Sequence, residues 1–385
     1  MRKLLYLCNY DTEDNIQENR KYYLSAVNKI NYTFSALNQA GWYVEIVSVS
    51  ETGSRHGFPG KNVRISEHTT LTLLPTIGRG CKAKRLLRFF AARGRRFFYL
   101  LRNLRRGEVL LVYHSPGYIR MLLLLKWLKG FRLVLEVNEI YADVSGNEDL
   151  RKWEMRLFRA ADAYLFATEL LNESINKCGK PYAVCLGTYR AENERNCNFE
   201  EEAMHGKIHL VYAGILNLTK GGAFAATQAA EFLDERYHMH ILGFGSDQEK
   251  ELLMKSIQKT KEKTQCGLTY DGTLSGEEYI RFLQSCDIGL STQNPGAAYN
   301  ATSFPSKVLS YLANGLRVVS IRINAVEKSA VGDLITYYDE QIPIQIANAI
   351  KSVDFSREFN VRKRIRELDT NFKKDIDKVL KSVQS

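Results

Sequence analysis

The sequence predicts an α/β protein of two successive doubly wound domains, and three observations carry that expectation. Short apolar, β-branched runs recur along the 385-residue chain, each followed by a helical stretch, as in parallel sheets joined by crossover helices. The length exceeds one ordinary core, at about 100–200 residues per domain. Between Arg190 and Lys207 the alternation stops in a charged, polar stretch, and then a second series begins.

Taken in order, Lys3–Cys8 reads as a strand opening the first domain. A polar loop follows, then a helix from about Glu18 to Ala40, closed by Gly41. Tyr43–Val49, Thr69–Leu74, Glu108–Tyr113 and Arg132–Val137 are the next strands, with a helix over Tyr118–Lys129. A helix at about Glu148–Ala161 and strands at Ala163–Ala167 and Tyr182–Leu186 complete a domain of residues 1–189. The second domain, 190–360, alternates strands at Ile208–Ala213, Met239–Leu242, Leu268–Tyr270, Ile288–Leu290 and Arg317–Ile321 with helices from about Ala223, Gln248, Gly276 and Pro305. A last helix, about 361–385, is expected to pack back on the first domain. Two such units imply Rossmann-like domains facing each other across a cleft.

Composition narrows the class. Hydrophobic residues make up 45%, charged residues 25% and aromatics 11%, as in a folded globular protein. The strongest apolar run, Met121–Leu125, is far short of the roughly 20 residues that cross a bilayer. Leu4–Cys8 is too short for a secretory core. Seven scattered cysteines without a Cys-x-x-Cys pair suggest neither a disulfide framework nor a zinc site. A cytoplasmic protein is expected. The net charge is +11, and Arg79–Arg106 alone holds eleven cations and no anion. Because that segment interleaves cations with Leu86, Phe89, Phe90, Phe97, Leu100, Leu101 and Leu104, it reads as an amphipathic helix. It is either a crossover helix with a solvated face or a surface that docks on anionic lipid at the inner face of the cytoplasmic membrane. Nucleic acid is not the expected partner, since no recognition motif accompanies the charge.

In open parallel sheets ligands lie beyond the carboxyl ends of the strands. Three second-domain loops there carry chemistry. Gly214-Ile-Leu-Asn217-Leu-Thr-Lys220-Gly221-Gly222 offers glycines for close backbone approach and a lysine beside a helix start, which suits a diphosphate. Thr302-Ser303-Phe-Pro305-Ser306-Lys307 leads into a helix through Ser310, whose free amides and dipole favour phosphate. Tyr270-Asp-Gly-Thr273-Leu274 could bond the edge of a flat base. In the first domain, Asn9, Tyr10, His114 and the pair Asn138-Glu139 stand at strand ends. Glu139 is a candidate base or orienting group for an acceptor hydroxyl, and His114 a second candidate. A helix cap, an ion pair or a hydrogen-bonded core histidine are the alternatives for these two.

In this order the residues resemble nucleotide-sugar glycosyltransferases of the GT-B fold, specifically the retaining family four (group 1) enzymes of bacterial polysaccharide assembly. Phe304–Val319 looks like that family's signature helix, turn and strand, Gly214, Lys220 and Gly221 like its donor-diphosphate loop, and Gly243-Phe-Gly245 like its turn after the domain's second strand. Glu136–Tyr141 and the Trp153-Glu154 helix also look like family segments. The resemblance implies a nucleotide-diphosphate sugar as donor substrate, a glycan or lipid-linked saccharide as acceptor, no separate cofactor, no metal, and retention of configuration. It departs at Ile215, where an arginine is usual, at Thr302 and Ser310, where glutamates are usual, and at Asn138, where many members have histidine. Lys307 is then expected to replace the lost cation. The departures also leave open a catalytically silent relative acting as a binding or partner subunit.

Overall fold

The computed structural model describes residues 2–384 except 13, 196, 198, 200–204, 218–220, 297–299 and 301. The chain divides into two compact units, Met1–Thr188 with Thr370–Ser385, and Tyr189–Asp369.

In the first unit the elements are β1 (Arg2–Cys8), α1 (Leu24–Gln39), β2 (Trp42–Ser48), β3 (Lys61–Ser66), β4 (Thr69–Leu73), α2 (Lys82–Asn103) and β5 (Val109–Tyr113). They continue with α3 (Ile119–Lys129), β6 (Arg132–Val137), α4 (Tyr141–Ser145), α5 (Glu148–Ala160), β7 (Ala163–Phe166), α6 (Glu169–Ile175) and β8 (Tyr182–Val184). The strand order is β3-β4-β2-β1-β5-β6-β7-β8. All pairs are parallel except β3 with β4. Inner strands are apolar on both faces because helices cover both: Leu7, Val112 and Leu135 are fully buried. The order reverses between β1 and β5, so the crevice for a ligand opens there.

The second unit runs β9 (Ile208–Ile215), α7 (Gly222–Ala229), β10 (Tyr237–Phe244), α8 (Asp247–Lys261), β11 (Gly267–Gly272), α9 (Gly276–Gln284) and β12 (Ile288–Ser291). After these come α10 (Ser306–Ala313), β13 (Arg317–Ile321), α11 (Asn324–Glu327), β14 (Ile335–Tyr338), α12 (Pro343–Lys351) and α13 (Val361–Gln384). Its sheet is wholly parallel in the order β11-β10-β9-β12-β13-β14. The switch point therefore lies between β9 and β12. The end of α13 belongs to the first unit, where Phe372 stacks on Tyr32 at 5.6 Å and Trp42 Nε1 donates to Asp377 at 3.2 Å. Asp377 closes the sequence's Asp-x-Asp triplet, Asp375-Ile376-Asp377. Ile376 is buried and Asp377 also pairs with Lys381, so this triplet serves helix packing.

Five elements differ from the sequence expectation. The first helix starts at Leu24, not Glu18, because Glu18 and Arg20 are buried in a turn before it. Arg20 donates from Nε to Glu18 at 2.6 Å and from Nη1 to the Ser50 and Leu74 carbonyls at 2.9 and 3.0 Å. The apolar stripe of α2 packs only in its second half, where Leu100, and Leu104 just past the helix end, are fully buried. Leu86, Leu87, Phe89 and Phe90 remain 48–61% exposed. Strands β3 and β14 and helix α12 were not anticipated.

Candidate functional site

At the switch point of the second unit, β9 delivers Gly214 and Ile215 and β12 delivers Ser291. Thr292 Oγ1 donates to the Gly222 carbonyl at 2.7 Å, tying the loop after β12 to the start of α7. Gly221 sits in the left-handed region, φ 66°, which an L side chain would strain, and its amide donates to the Asn217 carbonyl at 3.0 Å. Asn217 in turn donates to Glu249 Oε1 at 3.2 Å, and Glu249 forms a capping box with Ser246 at the start of α8. Lys220 falls outside the described residues.

Helix α10 starts at Ser306 behind Pro305, so its first amides have no partner within the helix. Lys307 projects back over the end of β9. Its ammonium lies 3.9 Å from the centroid of the Tyr212 ring and 3.1 Å from where a β-carbon on Gly214 would stand. A cation is thus held against the glycine where the strand ends, and Gly214 leaves it room. The Tyr311 hydroxyl accepts from the Ala213 amide at 2.8 Å, fixing α10 to the last turn of β9. Two hydroxyl oxygens, Ser291 Oγ at the end of β12 and Ser303 Oγ just before α10, are buried and have no hydrogen-bond partner among the described residues. An unsatisfied buried hydroxyl costs about 1–3 kcal/mol, which a ligand acceptor would relieve.

The remaining second-unit candidates divide. Thr273 Oγ1 and Tyr270 OH both donate to the Gly243 carbonyl, at 3.0 and 2.9 Å, so Thr273 and the half-buried Leu274 form a loop braced on the Gly243 turn. Gly243 has no alternative, since a β-carbon there would stand 1.8 Å from the Gly214 carbonyl. Thr302 is buried. Ser310 lies 3.3 Å from the Tyr279 hydroxyl, an arrangement that turns it toward α9. Ile215 is 40% exposed at the end of β9.

In the first unit His114 is 2% exposed, and its Nε2 lies 2.8 Å from Glu154 Oε1. Glu154 also accepts from the Tyr141 and Ala142 amides at 3.0 and 2.7 Å, so the pair anchors the start of α4. The imidazole is buried against Phe158 and Tyr141, and its Nδ1 has no hydrogen-bond partner among the described residues. Asn138 and Glu139 are half-buried at the end of β6, and Asn138 Nδ2 is buried without a hydrogen-bond partner among the described residues. Burial, with the Glu139 charge adding to it, pushes the Tyr141 hydroxyl up to about 12. Asn9 lies at the end of β1, and Tyr10 OH donates to Asn31 at 2.7 Å.

Sequence reasoning missed two features of this unit. The first is Glu136, fully buried, whose carboxylate receives the Tyr6 hydroxyl and lies 3.4 Å from Thr33 Oγ1. Burial raises its pKa, opposed by the charge of Lys29, whose ammonium bonds the Cys185 carbonyl. The second is a cavity of about 820 Å³ at the carboxyl ends of β1, β2 and β5, lined by Asn9, Val49 and Ser115 and by Arg20, Arg93 and Arg96. The run Arg132–Val137 reads as a buried strand, and only its one glutamate hinted at the first. Nothing local in the sequence links Arg20 to Arg96.

Among the described residues no group of three His, Cys, Asp or Glu side chains could hold a metal ion. Nor is any helix long and apolar enough to cross a membrane.

No family model matches the chain, and no curated protein matches it. Solved structures do. A UDP-forming α,α-trehalose-phosphate synthase from Burkholderia xenovorans aligns over 100% of both chains at TM-score 0.66 and 10% identity. A sucrose-phosphate synthase from Thermosynechococcus elongatus covers 100% of this chain and 96% of its own, at TM-score 0.63 and 12% identity. A trehalose-6-phosphate structure from E. coli bound with UDP-2-fluoro glucose covers 100% and 99%, at 0.65 and 10%. The chain thus has the GT-B fold of these glycosyltransferases, with a sheet in the first unit that is parallel but for β3 and a wholly parallel sheet in the second. The likeness is to sugar-phosphate synthases and does not single out family four.

Proposed function

We propose that the protein is a nucleotide-sugar glycosyltransferase whose second unit binds the donor and whose first unit receives a glycan or lipid-linked saccharide acceptor. The observation that carries this reading is the Lys307 ammonium poised beside Gly214, at the N-terminus of α10 and the switch point of a Rossmann-like sheet. When the anomeric carbon–oxygen bond breaks, negative charge grows on the leaving nucleoside diphosphate. A lysine and helix amides placed there act on charge as it develops. Lys220, Gly221 and Ser306 would share the diphosphate, Ser303 would bond it through its hydroxyl, and Thr273 and Leu274 would flank the base. Thr302 and Ser310 stand where the resembling family places glutamates, and their hydroxyls would contact ribose or sugar hydroxyls.

In the first unit Glu139 would orient or deprotonate the acceptor hydroxyl, assisted by Asn138, whose Nδ2 has no hydrogen-bond partner among the described residues. His114 acts by positioning, through Glu154 and α4. Retention at the anomeric carbon and a role in cell-surface polysaccharide synthesis follow from the resemblance. The exposed half of α2, with Lys82, Lys84 and Arg85 beside Leu86, Leu87, Phe89 and Phe90, would rest on the anionic inner face of the cytoplasmic membrane.

A thermal-shift panel of UDP-, GDP-, dTDP- and ADP-sugars tests the reading. A donor at 100 times its Kd stabilises by about 2.7 kcal/mol, and a binder should also be hydrolysed slowly. Binding without hydrolysis or transfer to any saccharide would identify a silent binding subunit, and no binding at all would overturn the donor site.

A further inference from the structure

Three of the cationic side chains that line the cavity of the first unit, Lys21, Arg93 and Arg96, form no ion pair among the described residues. Four cationic residues line it, Arg20, Lys21, Arg93 and Arg96, against two carboxylates, Asp11 and Glu51. Both carboxylates also have other partners. Glu51 faces Arg88 at 3.3 Å and Arg95 at 3.5 Å, and Asp11 accepts from Asn15 and from the Thr12 amide at 3.0 Å. Arg20 is 4% exposed and ion-paired with Glu18, and its Nη2 has no hydrogen-bond partner among the described residues, although its other nitrogens are bound. Arg96 has no ion pair among the described residues. Its guanidinium rests 4.7 Å over the Tyr118 ring, and its Nε is also buried without a partner. Stacking on a ring fixes the guanidinium plane while leaving its edge free, the arrangement that suits a forked bond to an oxyanion.

We propose that this cavity is a subsite for an oxyanion, phosphate or carboxylate, carried by the acceptor and held by Arg96 and Arg20 with Lys21 and Arg93 at its rim. The inference rests on the glycosyltransferase reading only in calling the ligand an acceptor. It places the anion at the carboxyl ends of β1 and β5, where the strand order of this sheet reverses. It also accounts for part of the uncompensated charge of Arg79–Arg106, whose Arg93 and Arg96 enter the cavity wall.

Calorimetric titration of the full chain with inorganic phosphate tests the site, with Lys307→Ala as the background that disables the other proposed phosphate site. In that background Arg96→Gln should weaken the remaining phosphate binding at least tenfold, and Arg96→Lys should restore part of it. Lys21→Gln, an exposed substitution, should weaken it severalfold and serves if Arg96→Gln does not fold. Phosphate binding lost in Lys307→Ala and kept in Arg96→Gln would overturn the proposal. So would a protein that binds phosphatidylglycerol vesicles yet ignores free phosphate and acetate, since the cations would then serve lipid alone. If no nucleotide sugar binds while phosphate binding still depends on Arg96, the anion site stands and the glycosyltransferase reading fails.

Discussion

Replacing Lys307 with Ala removes one charge from a defined point, and its two effects separate. The ammonium lies 3.9 Å from the Tyr212 ring centroid, so folding loses a cation–π contact. At a half-exposed site that contact is worth about 0.5–1 kcal/mol, or a melting shift of about 1–4 °C for a unit of this size. Catalysis loses more, because the charge acts on a leaving diphosphate whose negative charge grows in the transition state. Loss of one such stabiliser lowers kcat by about 10²–10³, with a smaller change in donor KM. Lys307→Arg keeps a cation that can stack on the same ring and should recover much of the rate. Tyr212→Leu removes the ring but leaves the charge, and should cost about tenfold. Steady-state transfer or donor hydrolysis, with melting curves for each variant, checks the set. Wild-type kcat in Lys307→Ala would refute the reasoning, as would a rate loss that merely tracks unfolding.

Other outcomes follow from packing and charge. His238 is buried beside His240, His209 and Asp271, and burial followed by the two histidine charges lowers its pKa to about 3. An unfolded histidine titrates near 6.5, so below that pH the unfolded chain binds a proton that the native state refuses. Stability from this group is complete above about 6.5 and is lost on acidification toward 3, at up to about 1.4 kcal/mol per pH unit. His238→Gln should flatten the fall in denaturation midpoint between pH 6 and 4.5, and parallel profiles would refute the shift. A β-carbon on Gly289 would stand 2.2 Å from Tyr311 Cγ, so Gly289→Ala should cost about 1–3 kcal/mol in denaturant titrations and displace α10. Gly94, inside α2 with nothing within 4 Å, is the control: Gly94→Ala should stabilise by about 0.5–1 kcal/mol. Changing exposed Lys82, Lys84 and Arg85 to Gln should weaken sedimentation with phosphatidylglycerol vesicles by about two orders of magnitude at low salt, at about 1 kcal/mol per cation.

What the sequence reveals follows from how local its cause is. Strands buried on both faces, such as Val109–Tyr113 and Ile288–Ser291, are continuous apolar runs and are legible from neighbours alone. The start of α10 is legible from Pro305. Strand β3 is an exposed antiparallel edge with no burial pattern to betray it, and β14 is too short to stand out. Glu18 and Arg20 look like the polar first turn of a helix, because the carbonyls of Ser50 and Leu74 that bury Arg20 lie far along the chain. The histidine group left a trace, since His238-Met-His240 in a strand puts both rings on one face. What could not be read was the third ring, His209, whose Nδ1 lies 3.0 Å from His240 Nε2 through β9–β10 pairing. The donor-site candidates share that limit. Gly214 and Lys307 are both visible as motif residues, but their approach is made by Tyr311 and Tyr212.

The eleven cations of Arg79–Arg106 part into two environments, and salt distinguishes them. Arg88 and Arg95 reach Glu51, Arg96 is drawn over Tyr118, and burial lowers the pKa of Arg96. Lys82, Lys84 and Arg85 stay exposed beside Leu86 and Phe90. Exposed charges are screened over about 10 Å at 0.1 M salt and about 3 Å at 1 M, whereas partly buried ones keep more of their field. Vesicle binding should therefore fall steeply between low and molar salt, while phosphate binding by Arg96 declines less. The comparison uses one preparation and a salt with a weakly coordinating anion, so that competition for the cavity stays small. Equal salt slopes for the two ligands would mean that one solvated face binds both, and the division of α2 into an inward and an outward half would be wrong.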